Sequence, residues 1–166
     1  MGDVAQRPSG YNGQGLSLRG EKGRYVLPTA FRKTVAEASD DRILCVAKHD
    51  RWPCLTGFGR SRTDTFDDQL NREEEAALRL GREFDRDLRE SQLNNFIEIP
   101  FDASGRFIMP DYFAGLAGID EAIYFQGAGK LITMWNPERL YEMGEGWESA
   151  QAICRALVAE SEAKRK

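Results

Sequence analysis

An α+β chain made of two tandem copies of one small unit is the fold class this sequence predicts, and three observations predict it. First, a nine-residue text occurs twice, as Gly23-Arg24-Tyr25-Val26-Leu27-Pro28-Thr29-Ala30-Phe31 and as Gly105-Arg106-Phe107-Ile108-Met109-Pro110-Asp111-Tyr112-Phe113. Both copies read Gly, Arg, aromatic, two aliphatic or Met residues, Pro, two variable positions and Phe, at a constant offset of 82 from Gly23 to Gly105 and from Phe31 to Phe113. Second, strand-like runs surround each copy in the same order. Third, each copy is followed by a stretch of helical periodicity. A unit repeated within one chain predicts an approximate two-fold axis. It also places Arg106 to do on one side of that axis whatever Arg24 does on the other.

The elements follow from the residues in turn. Residues 1–14 hold Gly, Pro, Asn and Gln with few apolar anchors and predict a flexible arm. The first unit is assigned to 15–60. Leu16-Ser17-Leu18 alternates like a strand, Glu21-Lys22-Gly23 is a turn with Gly23 free to take positive φ, and Tyr25-Val26-Leu27 is the return strand. Val26, Leu27 and Phe31 are assigned to the core. Pro28 stops the strand and suits the first turn of a helix to residue 38. Ile43-Leu44-Cys45-Val46-Ala47 is a strand, His49 to Pro53 a loop, and Cys54 to Phe58 a further strand.

The second unit, 94–136, repeats this plan. Phe96 to Pro100 is a strand, Ala103-Ser104-Gly105 a turn, Arg106 to Met109 the return, and Pro110 opens a short helix ending near Gly115 to Gly118. Ala122 to Gln126 and Lys130 to Trp135 are strands joined at Gly127-Ala128-Gly129. Between the units, 61–93 reads as one linking helix over about 64–92, because Phe66, Leu70, Ala77, Leu80, Phe84 and Leu88 recur at three- and four-residue steps. Gly81 weakens it slightly. In the C-terminal helical segment, 137–166, Asn136 caps a helix with Pro137 at its first position, and Gly144-Glu145-Gly146 separates this from a helix over 147–163.

Composition bounds the function. The 166 residues suit one domain or two small fused ones, and 41% hydrophobic residues suffice for a globular core. No stretch approaches a membrane span and the first residues lack the order of a signal peptide, so a cytoplasmic protein without a membrane partner is expected. Cys45, Cys54 and Cys154 are odd in number and lack metal-ligand spacing, so reduced, partly buried thiols are expected. The net charge of −4 hides a gradient: residues 1–35 carry Arg7, Arg19, Lys22, Arg24, Arg32 and Lys33 against only Asp3 and Glu21. Such asymmetry points to a nucleic-acid-facing end, although small basic clusters also occur on inert surfaces.

Arg24 and Arg106 follow a turn glycine, which sets a planar five-donor fork at the end of a hairpin. That geometry suits phosphate oxygens and the O6/N7 edge of guanine. The competing use is an internal bond, and Asp102, four residues before Arg106, is placed for it. Both uses are compatible, with the carboxylate fixing an arginine whose outer edge stays free. The position matching Asp102 in the first copy is Gly20, so Arg24 lacks that clamp, while Arg19 and Lys22 add positive charge beside it. This tilts the first copy toward nucleic acid and the second toward structure or oligomer contact.

Other patterns carry less. Gly127-Ala128-Gly129-Lys130 lacks the spacing and the Ser or Thr of a phosphate loop and reads as a hairpin turn. His49, the lone histidine, lies near Cys45 and Cys54 but offers too few ligands for a metal, and it cannot serve a catalytic triad without further partners. No catalytic set, metal or cofactor is expected. Trp135, Trp147, Phe113 and Tyr112 suit a core or a subunit interface.

The duplicated turn, Asp102-Ala103-Ser104-Gly105-Arg106, the strand ends Leu55-Thr56-Gly57-Phe58 and Met134-Trp135-Asn136-Pro137-Glu138-Arg139, and the helices after each unit together resemble the MraZ family over roughly residues 15–160. The resemblance implies two tandem AbrB-like units forming an intrachain double swapped-hairpin β-barrel with outer helices. It implies a bacterial transcriptional regulator, an oligomeric ring that binds direct repeats in double-stranded DNA upstream of the division and cell-wall gene cluster, at the nucleoid. The DNA-contact arginines of the family's two motifs fall on Arg24 and Arg106, and Arg19, Lys22, Arg32 and Lys33 complete the expected basic face. Gly23, Asp102 and Gly105 are the expected structural residues of the motifs. Two other classes are compatible with the same fold: an AbrB-fold antitoxin, which would bind a toxin through a disordered tail, and a ring-forming structural protein without DNA binding.

Overall fold

A computed structural model describes residues 10–165. Residues 1–9, which include Arg7 and most of the expected arm, lie outside the described residues, as does Lys166. Each unit opens with a hairpin. In the first, Gln14–Leu18 (β1) passes through a 3-10 turn at Glu21–Gly23 and returns as Arg24–Val26 (β2). The second has Ile97–Pro100 (β5) and Arg106–Ile108 (β6), again 82 positions on from β2. The same backbone bonds close both turns. Gly20 N–H donates to the Arg24 carbonyl at 2.8 Å and Asp102 N–H to that of Arg106 at 3.1 Å; Gly23 and Gly105 then donate back to Gly20 and Asp102. Gly23 and Gly105 sit at φ +70° and +86°, where an L side chain is strained. This is why a glycine precedes each arginine.

After each hairpin a proline marks the start of a helix, Thr29–Ser39 (α1) behind Pro28 and Asp111–Ala117 (α4) behind Pro110. The prolines stand at the N-cap, one residue earlier than the first-turn position expected for Pro28. Both helices end in a left-handed residue, Asp40 in the first copy and Gly118 in the second. Ile43–Lys48 (β3) and Leu55–Phe58 (β4) complete the first unit, and Ala122–Gly127 (β7) and Ile132–Trp135 (β8) the second.

The sheet order is β1-β7-β8-β4-β3-β5, and β2 pairs with β6 as a separate two-stranded ribbon. The hairpins are therefore exchanged between units. β1 pairs with β7 and β2 with β6, both in the second unit, while β5 pairs with β3 of the first. Turning the sheet order end for end swaps β1 with β5, β7 with β3 and β8 with β4, as a two-fold axis between β8 and β4 requires. Among the described residues the hydrogen-bonded strands make an open six-stranded sheet and a separate ribbon, with no closed barrel. β2 and β6 are three residues long and bond to each other, which leaves β1 and β5 as the two edges of an open sheet.

The main core lies beneath the ribbon and the two short helices. Leu27, Phe31, Val35, Leu44, Phe107, Met109, Phe113, Phe125 and Met134 are among its members. A smaller core forms where Pro137–Tyr141 (α5) and Glu148–Arg165 (α6) cover Tyr124, Trp135 and Cys54. All three cysteines are free and buried. Val26, expected in the core, is 36% exposed. Strand alternation explains it: Tyr25 and Leu27 point inward, so the residue between them points out.

Two other expectations change. Residues 10–14 are not part of a free arm. Tyr11 is 8% exposed, exchanges both backbone bonds with Gly129, and its hydroxyl accepts the Gly59 N–H at 3.1 Å. Nor is the linker one helix. A 3-10 stretch at Arg60–Thr65 leads into Phe66–Arg79 (α2), the chain turns at Gly81 with φ +67°, and Arg86–Leu93 (α3) follows. Asp85 caps α3 by accepting the Leu88 N–H at 3.0 Å. The apolar phase runs on through Leu80, Phe84 and Leu88, so periodicity alone does not register the break.

Charged groups hold α3 in place. Arg86 meets Glu74 at 3.0 Å, and the largely buried Arg89 bonds both Glu73 at 2.7 Å and Asp50 at 2.9 Å. Burial pushes the Asp50 carboxyl up, but the Arg89 bonds outweigh it and hold the group below the ordinary carboxylate range. Glu73 is held low by the same guanidinium. Depressed carboxyls stabilise the fold above their unfolded pKa, and that contribution is lost as pH falls through the folded values. Arg89→Met should therefore cost on the order of 1–2 kcal/mol at neutral pH, a range reduced for the exposed side of the pair. It should also flatten the acid limb of the stability curve. Urea melts at pH 7 and pH 4 measure both, and identical curves for variant and parent contradict this role.

Candidate nucleic-acid interface

The ribbon carries the repeated arginines. Its register sets Arg24 opposite Ile108, Tyr25 opposite Phe107 and Val26 opposite Arg106. The middle pair is buried, with ring centroids 6.0 Å apart. Alternation then turns Arg24, Val26, Arg106 and Ile108 to the outer face. Two residues along a strand span about 7 Å and neighbouring strands lie about 4.8 Å apart. The four side chains thus form a small rectangle, arginines on one diagonal and aliphatics on the other. Ile108 is 58% exposed.

The two arginines are held differently. Asp102 accepts the Ser104 and Arg106 N–H groups at 2.9 Å each and the Arg106 Nε at 2.7 Å. The Arg106 backbone bond, then its guanidinium, hold the Asp102 carboxyl below its ordinary range. The Arg106 side chain still remains 47% exposed. Arg24 has no matching carboxylate: its Nε reaches only the Glu21 carbonyl, at 3.4 Å. Asp102→Ala should lower the melting temperature by a few degrees at pH 7 and remove a step in stability on acidification, because a depressed carboxyl loses its contribution as pH falls. An unchanged melt at both pH values contradicts the clamp.

The remaining basic residues divide between the ribbon's ends. Arg19, Lys22 and Arg24 gather at the first turn. Arg19 pairs with Asp120 at 3.3 Å, and a Cβ on Gly23 would sit 3.5 Å from its Nη2. Lys22 is exposed and left-handed, with φ +60°. At the opposite end Arg106 is joined by Arg32, which has a structural task that its sequence position does not reveal. Its Nε donates to the Leu27 carbonyl at 2.7 Å, and its guanidinium carbon would lie 2.9 Å from a Cβ on Gly105. There the Leu27 N–H donates to the Gly105 carbonyl at 2.8 Å, so Arg32 clamps the contact between the units. Lys33 stands exposed on α1, next in sequence to Arg32. Val26 and Ile108 are surface residues that an apolar strand pattern assigns to the core; their position two residues after each outward arginine is the signal that finds them.

His49 has a structural use as well. Its Nδ1 accepts the Arg51 and Trp52 N–H groups at 3.1 Å, and its ring stacks on Trp52 at 4.3 Å. Burial lowers its pKa. Among the described residues, no group of three His, Cys, Asp or Glu residues could hold a metal, and no helix is long and apolar enough to cross a membrane.

No protein-family model matches the chain. Among characterised sequences it is similar to the transcriptional regulator MraZ of Rhodospirillum rubrum, 30% identical over 122 residues that cover 72% of this chain and 74% of the relative. The transcriptional regulator MraZ of Parvibaculum lavamentivorans is 29% identical over 117 residues, 70% of this chain and 69% of that protein. That of Chlorobium phaeobacteroides is 26% identical over 138 residues, 81% and 89% of the two chains.

Proposed function

The chain belongs to the MraZ family, and on that premise we propose that it is a sequence-specific DNA-binding transcriptional regulator, acting in the cytoplasm at the nucleoid. One observation carries the reading: a two-stranded ribbon with an outward arginine on each strand, Arg24 and Arg106. A ribbon of this width fits the major groove, where a bidentate arginine reads the O6/N7 edge of guanine. Arg19 and Lys22 sit beside the first arginine for phosphate contact. Lys33 adds a positive charge on α1, and Arg32, bonded through Nε to the Leu27 carbonyl, adds one at the ribbon's other end. The exchanged hairpins support the swapped-hairpin arrangement of two AbrB-like units.

One ribbon meets few base pairs and few phosphates, so a single subunit binds weakly. We read the site as repeated: an oligomeric ring presenting identical ribbons to tandem repeats upstream of the division and cell-wall gene cluster. The exposed Leu78, Leu80 and Leu88 on α2, α3 and the turn between them supply an apolar surface for such assembly. Linked sites raise avidity on the order of a hundredfold. A gel shift with one-repeat and four-repeat probes tests this, and the longer probe should bind at far lower protein concentration. Equal affinity per probe would remove the reason for a ring.

A further inference from the structure

We propose that Val26 and Ile108 read thymine, each packing on the C5-methyl group of a thymine in the major groove beside the guanines contacted by Arg24 and Arg106. The inference rests on the DNA-binding reading above and deepens it. Its basis is the outer face of the ribbon. Apolar side chains in a strand normally turn inward, yet Ile108 is 58% exposed and Val26 36%. Neither is needed there by the core, which Tyr25 and Phe107 fill from the same two strands and Leu27 and Met109 from the residues just after them. Each stands opposite an arginine across the ribbon, Ile108 beside Arg24 and Val26 beside Arg106.

The dimensions suit adjacent bases. The arginine and the aliphatic residue on one strand are about 7 Å apart, roughly two base-pair steps of about 3.4 Å each. Across the ribbon the spacing is about 4.8 Å, within a groove about 12 Å wide. An arginine fork inserted to reach guanine therefore brings its aliphatic neighbour onto the floor of the groove within one or two base pairs. The apolar feature found there is the thymine methyl. A hydrophobic side chain facing any other base edge would strip water from polar groups without replacing their bonds. The two aliphatics thus favour A·T pairs where the arginines favour G·C.

The methyl can be removed from the DNA without touching the protein. The test uses the full chain and its own upstream region prepared in two forms, with thymine and with deoxyuridine throughout. Wild type should bind the thymine form more tightly, about fourfold for each methyl buried. Val26→Ser combined with Ile108→Ser should lose affinity for the thymine form and bind both forms alike. The single variants should keep an intermediate ratio, and circular dichroism should show the parent's spectrum, since both positions are outward. Equal binding of the two forms by wild type overturns the inference and leaves the arginine reading intact. So does a thymine preference that survives in the double variant, which would place methyl recognition elsewhere. If wild type binds neither form, the DNA reading itself falls, and this inference with it.

Discussion

Arg24→Ala is expected to abolish specific DNA binding while leaving the melting temperature within a degree or two of the parent. Loss of one bidentate guanine contact costs about 1–3 kcal/mol per subunit, and linkage of several subunits on tandem sites multiplies the deficit. The fold should tolerate the change because the arginine makes one long bond, 3.4 Å to the Glu21 carbonyl. Neither a buried acceptor nor a carboxylate is stranded by its removal. Arg106→Ala should behave differently. It frees the Asp102 carboxylate from its guanidinium partner, so stability falls together with binding. Fluorescence anisotropy and a thermal melt on the two variants separate the cases. An Arg24→Ala protein that is folded and binds like wild type removes this residue from the interface.

The second large effect is on assembly. Leu80 and Leu88 are 64% and 56% exposed at the turn and on α3, and Leu78 at the end of α2 is 73% exposed. Placing charge on such a surface sets the desolvation of a carboxylate against association. Leu80→Asp with Leu88→Asp should lower the mass of the assembly to that of a monomer in light scattering at micromolar concentration. The monomer should keep the parent's weak affinity for a one-repeat probe and lose the gain on four repeats. A wild type that is already monomeric, or a variant of unchanged mass, contradicts assembly through these residues.

Local relations were legible in the residues, and distant ones were not. The glycine before each arginine follows from the backbone geometry of a tight turn, so both copies announce it. Asp102 and Arg106 lie four residues apart in one turn, and their bond could be read from that spacing. The exchange of hairpins follows only from the family resemblance and not from the strand pattern, because β1 joins β7 through partners about a hundred positions away and either pairing satisfies that pattern. For the same reason Arg32 read as a free cation, although its place is set by Leu27 and by Gly105 of the other unit. Tyr11 read as part of an arm because its partners, Gly59 and Gly129, lie elsewhere in the chain. The reversal at Gly81 is hidden because the apolar phase continues across residues 80–85, where the chain leaves the helix at Arg79 and re-enters it at Arg86.

On the proposed function the ribbon grips DNA through its arginines and the basic residues around them. A titration of the full chain with its own upstream region and with a scrambled duplex, each at low and near-physiological salt, tests it most directly. Binding to the upstream region should be tighter at both salt concentrations. Log affinity should fall with log salt at a slope of roughly −0.9 for each phosphate contacted. Equal affinity for the two duplexes, or a flat response to salt, contradicts it.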